Sequence, residues 1–240
     1  MKLVIIRHGD PDYAHDALTE KGKKEAGLLA EYFPRLSPAA VYCSPMGRAQ
    51  MTMNACREKC GFTVETLPWL REFPAAVFSP TKKRTSLAWD QMPSFFTRRP
   101  LLYDSERWCE DVLLANTNFM EKYEWVRQGL DMLLEKHGYR HNGKLYDAIF
   151  PNRDTVVLFC HFGVLGVIMS ILTGVSPYIY WQHFCALPTS VTTLATEERE
   201  QGKAVWRCIG FGDLSHLALG GEEPSFAARF CETFDSDEIH

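Results

Sequence analysis

The chain lacks several features that mark membrane, secreted or nucleic-acid-binding proteins. In its 240 residues no apolar run approaches the roughly 20 residues that a bilayer-spanning helix needs. The chain starts with one lysine and a short apolar strand, which is too short for a signal peptide. A formal net charge of -4 disfavours a broad nucleic-acid-binding surface. We therefore expect a cytoplasmic protein that binds neither membranes nor nucleic acid.

The cysteines do not have the spacing of a zinc site or of a disulfide framework. Cys43, Cys160 and Cys208 stand inside apolar runs, as reduced core thiols do in the cytosol. Cys56 and Cys60 share a predicted helix, but no second pair of ligands lies at a fitting distance in the sequence. Internal repeats and low-complexity tracts are also missing. We expect no bound metal and no cofactor.

Short apolar runs alternate with helical patterns in most of the chain, which predicts an α/β fold. Thr19 is the predicted N-cap of a first helix, and Ser44 and Pro45 are the predicted N-cap and first residue of a second. Helices are predicted over residues 20–33, 45–60, 120–136 and 163–172, and strands over 2–6, 40–43, 62–67, 155–160, 191–196 and 204–211. The prediction is one domain, a three-layer sandwich in which a mostly parallel mixed sheet is flanked by helices.

Residues 79–147 interrupt this alternation. The stretch is rich in aromatic residues and contains the basic pair Arg98-Arg99. We predict that it is a mainly helical cap inserted into the single domain of residues 1–240, and that its aromatic residues form a small core. The tail after Gly220 is acidic and weakly patterned.

Reactive side chains follow several of the predicted strands. Arg7 and His8 follow the first strand, and Arg48 lies in the first turn of the helix after the second. Glu72 comes after the third strand, and His161 directly follows the apolar run TVVLFC. Because ligands of open α/β sheets bind beyond the carboxyl ends of the strands, these five side chains are expected to converge.

This set of residue types suits a phosphoryl group. An arginine guanidinium matches phosphate oxygens in two-point contact, and a neutral histidine nitrogen can attack phosphorus. A carboxyl group can protonate a departing alkoxide. Gly9 would let the backbone approach the bound group closely, and helix N-termini add free N–H groups.

In this order, the motifs resemble the histidine phosphatase superfamily, in the branch that contains the cofactor-dependent phosphoglycerate mutases. The triplet Arg7-His8-Gly9 alone would be weak evidence, but its combination with the other motifs is specific. The motifs that carry the resemblance are RHG (residues 7–9), LTEKGKKEA (18–26), CSPMGRAQMTM (43–53), LREF (70–73), CHFGVL (160–165) and GDLSHL (212–217).

The resemblance implies roles for the five converging residues. His8 would be the nucleophile that becomes phosphohistidine, and Arg7, Arg48 and His161 would bind the phosphate. His161 would be cationic when phosphate is bound, because nearby negative charge raises the pKa of a histidine. Glu72 would protonate the leaving group and then activate water, although Glu65 stands near it in the sequence. The family needs no metal.

One stretch departs from the mutase pattern and leaves more than one function open. The mutases carry a serine or threonine and an asparagine after RHG, whereas residues 10–13 read DPDY here. The leading hypothesis is a metal-independent phosphomonoesterase that acts on a small phosphate ester. The alternatives are a phosphoglycerate mutase, which Arg98-Arg99 would suit, a phosphoprotein phosphatase and a non-catalytic module that binds phospho-ligands. His183 and His216 are predicted to be structural, with the rim of the pocket as the alternative place for His183.

Overall fold

A computed structural model describes residues 1–79, 83–226 and 233, so residues 80–82 of the predicted insertion and most of the acidic tail lie outside it. The strands of the described residues are β1 Lys2–Arg7, β2 Pro11–Asp12, β3 Ala17–Leu18, β4 Ala40–Cys43, β5 Glu65–Thr66, β6 Ala76–Ser79, β7 Arg84–Leu87, β8 Tyr139–Asn142, β9 Leu145–Ala148, β10 Thr155–Cys160, β11 Val191–Glu200 and β12 Lys203–Asp213. The α-helices are α1 Glu20–Tyr32, α2 Gly47–Cys60, α3 Pro93–Phe96, α4 Phe119–Lys136, α5 Phe162–Thr173, α6 Pro177–His183 and α7 Ser215–Leu219. Short 3₁₀ helices cover Phe33–Leu36, Pro68–Leu70, Pro100–Tyr103 and Trp108–Glu110.

Eight strands form one mixed sheet in the order β5-β4-β10-β1-β11-β12-β9-β8. Neighbours from β5 to β1 pair in parallel, and the remaining neighbours pair antiparallel. The predicted α/β fold with a large mixed sheet is confirmed, but its parallel pairing is confined to the β5–β1 side. The two strands that carry RHG and TVVLFC are direct parallel neighbours in the middle of the sheet.

Helices cover both faces of the sheet because β1 and β10 bury residues on both sides. Val4 and Ile6 of β1 pack with residues of α1 and α2, whereas Leu3 and Ile5 pack with residues of α4, α5 and α6. Such continuous apolar runs are typical of parallel strands that are buried on two faces. Within the ranges described, no helix is both long and apolar enough to cross a membrane.

The start of α1 is confirmed and the start of α2 is corrected. The Thr19 side chain accepts the Gly22 N–H and caps α1, as predicted. However, α2 begins at Gly47, after Ser44 and Pro45. The Ser44 N–H pairs with the Phe159 carbonyl at 2.9 Å and so continues the strand pairing beyond β4. Ser44 therefore belongs to the end of the strand and cannot be the N-cap.

The third predicted strand is shorter than expected, since only β5 (Glu65–Thr66) pairs with β4 within residues 62–67. Both residues are exposed at the edge of the sheet. Between residues 79 and 147 the chain forms helices and also strands. The hairpin β8–β9 adds to the main sheet beside β12, and α4 packs into the larger core. This segment therefore shares its core with the rest of the domain.

Candidate functional site

The site forms where β1 and β10 end side by side. Arg7 is the register partner of Cys160, and the His8 N–H donates to the Cys160 carbonyl at 3.1 Å. The next residues, His8 and His161, therefore leave the sheet together, and their ring centroids are 5.0 Å apart. Parallel pairing of two sequence-distant strands thus places both histidines at one point.

The hydrogen bonds of His8 fix which nitrogen is free to react. Its Nδ1 lies 2.7 Å from the Gly9 carbonyl, which can only accept, so Nδ1 carries the proton. The Arg48 Nε–H points to His8 Nε2 at 3.2 Å, which requires a lone pair on Nε2. Burial, together with the charges of Arg7 and Arg48, holds the pKa of His8 well below its ordinary value. The ring is therefore neutral, with its lone pair on Nε2.

Two buried arginines stand beside this imidazole. Arg7 donates from Nη1 to the Ala186 carbonyl at 2.7 Å, and its buried Nε has no partner among the described residues. Arg48 forms a salt bridge from Nη1 to Asp16 at 2.5 Å. Asp16 also accepts the Gly47 N–H at the start of α2, at 2.7 Å. Both guanidinium groups are thus anchored near the His8 imidazole, with Arg48 in contact with Nε2, and they could hold phosphate oxygens there.

His161 is fully buried and precedes α5 as its N-cap residue. Its Nε2 lies 2.7 Å from the Ser44 hydroxyl, and within the described part of the chain its buried Nδ1 has no hydrogen-bond partner. Burial, followed by the neighbouring His8, Arg48 and Arg7, holds the pKa of His161 well below its ordinary value. A bound phosphate would oppose this effect, because negative charge favours the protonated ring.

Glu72 is held against the first turn of α5. Its Oε1 accepts the Phe73 N–H at 2.8 Å and the Val164 N–H at 3.2 Å, and neither bond uses Oε2. Gly163 makes this approach possible, because a Cβ there would lie 2.6 Å from Glu72 Oε1. Burial raises the pKa of Glu72, although these N–H donors and both arginines oppose the rise. A carboxyl group with a raised pKa can act as a general acid.

Glu65, the other candidate carboxylate, lies elsewhere. It is exposed on the edge strand β5 and pairs with Lys136 at 2.9 Å. The structure therefore brings Arg7, His8, Arg48, Glu72 and His161 together and leaves Glu65 out. The catalytic roles of these five residues remain predictions.

A cavity of about 550 Å³ opens from this cluster. Most of its walls away from the arginines are apolar or aromatic. The lining residues are Arg7, Tyr13, Met46, Arg48, Arg71, Glu72, Phe73, Pro74, Leu87, Trp89, Asp90 and Phe162. Among the described residues, no three His, Cys, Asp or Glu side chains lie close enough together to hold a metal ion.

The other basic and imidazole groups noted in the sequence stand outside this lining. Arg99 donates from Nε to the buried carboxylate of Asp111 at 2.8 Å. His183 packs against aromatic rings of the inserted segment, and His216 Nε2 lies 2.9 Å from the Thr189 hydroxyl. Thr189 in turn donates its N–H to the His8 carbonyl at 3.1 Å, so His216 supports the loop behind His8.

Sequence reasoning missed two residues of the site. Asp16 anchors Arg48 and the start of α2, and its only sequence signal is its place just before LTEKG. Trp89 lines the cavity from the loop after β7. The sequence showed that the segment was aromatic but gave no reason to select this residue.

Comparisons with known proteins show similarity over most of the chain. A protein of Erwinia tasmaniensis named "Probable phosphoglycerate mutase GpmB" is 22% identical over 226 residues, which cover 90% of this chain and 95% of that protein. A phosphoserine phosphatase from Entamoeba histolytica, solved with 3-phosphoglyceric acid, superposes with a TM-score of 0.60 at 18% identity, covering 90% of this chain and 98% of that one. A mycobacterial glucosyl-3-phosphoglycerate phosphatase superposes with a TM-score of 0.58 at 19% identity, covering 88% and 98%.

The family match has the same extent. The model of the histidine phosphatase superfamily (branch 1) matches residues 3–209, from the first strand through the insertion into β12. This range includes every residue of the cluster around His8. A match over so much of the chain shows that it belongs to the histidine phosphatase superfamily, branch 1.

Proposed function

We propose that the chain is a phosphomonoesterase that works through phosphohistidine on His8 and needs no metal. The observation that carries this proposal is the orientation of His8. Its proton is held on Nδ1 by the Gly9 carbonyl, and its unprotonated Nε2 accepts from the buried Arg48, with the charge of the buried Arg7 also acting on the ring. Such an imidazole is prepared to attack an anionic phosphorus centre, and the arginines offset the negative charge of its oxygens.

The reaction would proceed in two balanced steps. In the first, His8 Nε2 bonds to phosphorus, the ester P–O bond breaks, and Glu72 gives its proton to the departing oxygen. In the second, the Glu72 carboxylate takes a proton from water while the water oxygen attacks the phosphohistidine. The bond between phosphorus and His8 Nε2 breaks, its electron pair returns to the ring, inorganic phosphate leaves, and His8 is again neutral. Arg7, Arg48 and His161 would bind the phosphoryl oxygens throughout.

The small number of cations around the cavity favours hydrolysis over transfer of the phosphoryl group to a second phosphoglycerate. A mutase must hold the carboxylate and the second phosphate of its substrate, which requires further basic groups. Arg71 adds one cation that could hold a carboxylate, but no described lining residue other than Arg7, Arg48 and Arg71 is basic, so a second phosphate has no cation of its own. Arg98 and Arg99 do not line the cavity, and Arg99 is engaged by Asp111. Two proteins with similar folds are named as phosphatases, whereas the mutase name of a sequence relative supports the alternative. A non-catalytic module would have no use for both His8 and Glu72.

The test is a hydrolysis screen over small phosphate monoesters with a chelator present and His8→Ala as the control. We expect free phosphate from several esters in the wild-type protein and none above background in the variant. Interconversion of 2- and 3-phosphoglycerate, with 2,3-bisphosphoglycerate supplied, should be slower than phosphate release. Faster interconversion would support the mutase. Activity on phosphoproteins with none on small esters would point to a macromolecular substrate.

We also propose that the protein works in the cytoplasm, without membrane or nucleic-acid partners. Cys43, Cys56 and Cys160 are buried thiols that form no disulfide among the described residues. Burial raises the pKa of Cys43 to about 12, as expected for an inert core thiol. Oxidant-free purification should therefore yield fully reduced protein, and a thiol count would check it.

A further inference from the structure

Arg71 differs from the other two arginines of the cavity. Arg7 is anchored to the Ala186 carbonyl and Arg48 to the Asp16 carboxylate. Arg71 lines the cavity with an exposed side chain, and no described residue forms a hydrogen bond or salt bridge with its guanidinium. It stands directly before Glu72 in the chain. A cation that no described residue engages is therefore available in the cavity.

Trp89 places an aromatic wall beside the proposed general acid. A Cβ on Gly163 would lie 2.6 Å from Glu72 Oε1 and 2.7 Å from Trp89 Nε1, so both atoms border the same spot at the start of α5. The backbone carbonyl of Trp89 accepts from Gln182 Nε2 at 2.9 Å, which anchors this residue. Its indole packs edge-on to Phe162. A leaving group attached to the oxygen that Glu72 protonates would meet this wall first.

The remaining lining selects the kind of leaving group. Seven of the twelve lining residues are apolar or aromatic: Tyr13, Met46, Phe73, Pro74, Leu87, Trp89 and Phe162. The hydroxyl groups of a sugar or glycerol ester would lose water against such walls without gaining partners. A flat ring would bury apolar area and could stack or pack edge-on against the aromatic residues.

We propose that the site takes phosphate monoesters of aromatic alcohols that carry a carboxylate, with the ring against Trp89 and the carboxylate on Arg71. This inference rests on the proposed function, since it names the substrate class of the same site. Arginine binds carboxylates through paired, charge-assisted hydrogen bonds. The phosphate would be held by Arg7 and Arg48, and the carboxylate by the one cavity arginine that no described residue engages.

Matched esters separate the contribution of the carboxylate to binding from the contribution of the aromatic ring. Benzyl, 4-carboxybenzyl and 3-carboxybenzyl phosphate release alcohols of similar basicity, so differences in kcat/KM report on binding of the ring substituent. We expect the wild-type protein to favour the better carboxybenzyl isomer over benzyl phosphate by about tenfold. Arg71→Gln should bring that ratio to about one, and Arg71→Lys should keep part of it. Arg98→Gln removes an exposed arginine outside the cavity and should keep the wild-type ratio.

A second pair of esters tests whether Trp89 selects a flat ring. Wild-type protein should favour benzyl over cyclohexylmethyl phosphate, and Trp89→Leu should reduce that preference. A wild-type carboxybenzyl ratio near one, or a ratio that survives Arg71→Gln, would overturn the assignment of Arg71. An unchanged ring preference in Trp89→Leu would overturn the aromatic wall. Thermal melting of each variant shows whether it is folded.

Binding of phosphonates separates this inference from the proposed function. Benzylphosphonate and 4-carboxybenzylphosphonate cannot be hydrolysed, and calorimetry measures their affinities directly. Arg71-dependent preference for the carboxylate without hydrolysis of any ester would support the site and refute the phosphatase. Hydrolysis of benzyl phosphate with no preference in either assay would support the phosphatase and refute this substrate class.

Discussion

The two ends of the cavity are built in different ways. At the phosphate end, Arg7 is the last residue of one central parallel strand, His8 and His161 directly follow two such strands, and each is at most 3% exposed. At the leaving-group end, Arg71 is exposed, and both Trp89 and Arg71 lie on loops. The sheet fixes the atoms that would react with phosphorus, whereas loops supply the walls that would choose the ester. Loops vary readily without disturbing the core, so substrate preference can change while the chemistry is retained.

The largest effect is expected at the phosphate end. His8→Ala removes the proposed nucleophile and should lower kcat on 4-nitrophenyl phosphate by roughly 10⁴-fold or more. His183→Ala removes an exposed imidazole outside the cavity and should keep wild-type kcat. Acid and base quenching after brief exposure to substrate should show a label that survives base and is lost in acid. A base-labile label, or one that persists in His8→Ala, would refute the assignment.

Glu72 lies at the junction of the two ends, and its effect should depend on the leaving group. Glu72→Gln keeps the shape but has no proton to give, so phosphorylation by an alkyl ester should slow by roughly 10²–10⁴-fold. The nitrophenyl ester releases a weakly basic phenolate and should slow far less. Rapid-quench measurement of phosphoenzyme formation tests both esters. Equal losses would place the acid on another residue.

The same two residues set the expected pH dependence. Burial lowers the pKa of His8 well below 6.5, so its neutral form persists in more acidic solution and the acidic limb of kcat/KM should lie well below pH 6.5. Burial raises the pKa of Glu72 above 4.5, so its protonated form persists to higher pH than for an ordinary glutamate. Activity on the alkyl ester should fall as the pH rises through the raised pKa of Glu72. This alkaline limb should disappear in Glu72→Gln, and its persistence would assign it to another group.

The contrast between the two ends also explains what could be predicted from the sequence. Arg7, His8 and His161 directly follow strands whose apolar runs are unmistakable, so their convergence followed from parallel pairing alone. Asp16 reaches Arg48 from a loop, and no local pattern encodes that contact. The start of α2 was misplaced because Ser-Pro is a good helix start, while the strand pairing of Ser44 prevailed. The hairpin β8–β9 did have a signal in Asn142-Gly143, with Gly143 at a φ of 65°.

Gly163→Ala tests whether the two ends share one tight contact. The added Cβ would lie 2.6 Å from Glu72 Oε1 and 2.7 Å from Trp89 Nε1, so one of these side chains must move. A small misplacement of a catalytic group can cost about 10²-fold in rate, and we expect a loss of that order on alkyl esters. Gly27→Ala is the matched control, because it also adds a methyl group to a helix but meets nothing within 4 Å. Wild-type rates in Gly163→Ala would mean that this contact does not position Glu72.

The smallest effect on activity is expected for Arg99, which separates the phosphatase from the mutase. Its guanidinium is bound to Asp111, whose side chain is 5% exposed and also accepts the Leu113 N–H. Removing one partner of such a buried pair leaves an uncompensated charge, so Arg99→Gln should lower the free energy of unfolding by roughly 3–5 kcal/mol. Its kcat/KM on small esters at a temperature where it is folded should stay within about twofold of wild type.

Two further variants complete the test that separates the phosphatase from the mutase. Arg98→Gln changes an exposed neighbour and should alter neither stability nor rate. Replacing the pair together, Arg99→Met with Asp111→Leu, removes both charges and should recover much of the lost stability, because no buried charge then lacks a partner. A mutase that used Arg99 to hold its substrate would behave in the opposite way. Arg99→Gln would then lose phosphoglycerate turnover with little change in melting temperature, and the double variant would recover none of that turnover.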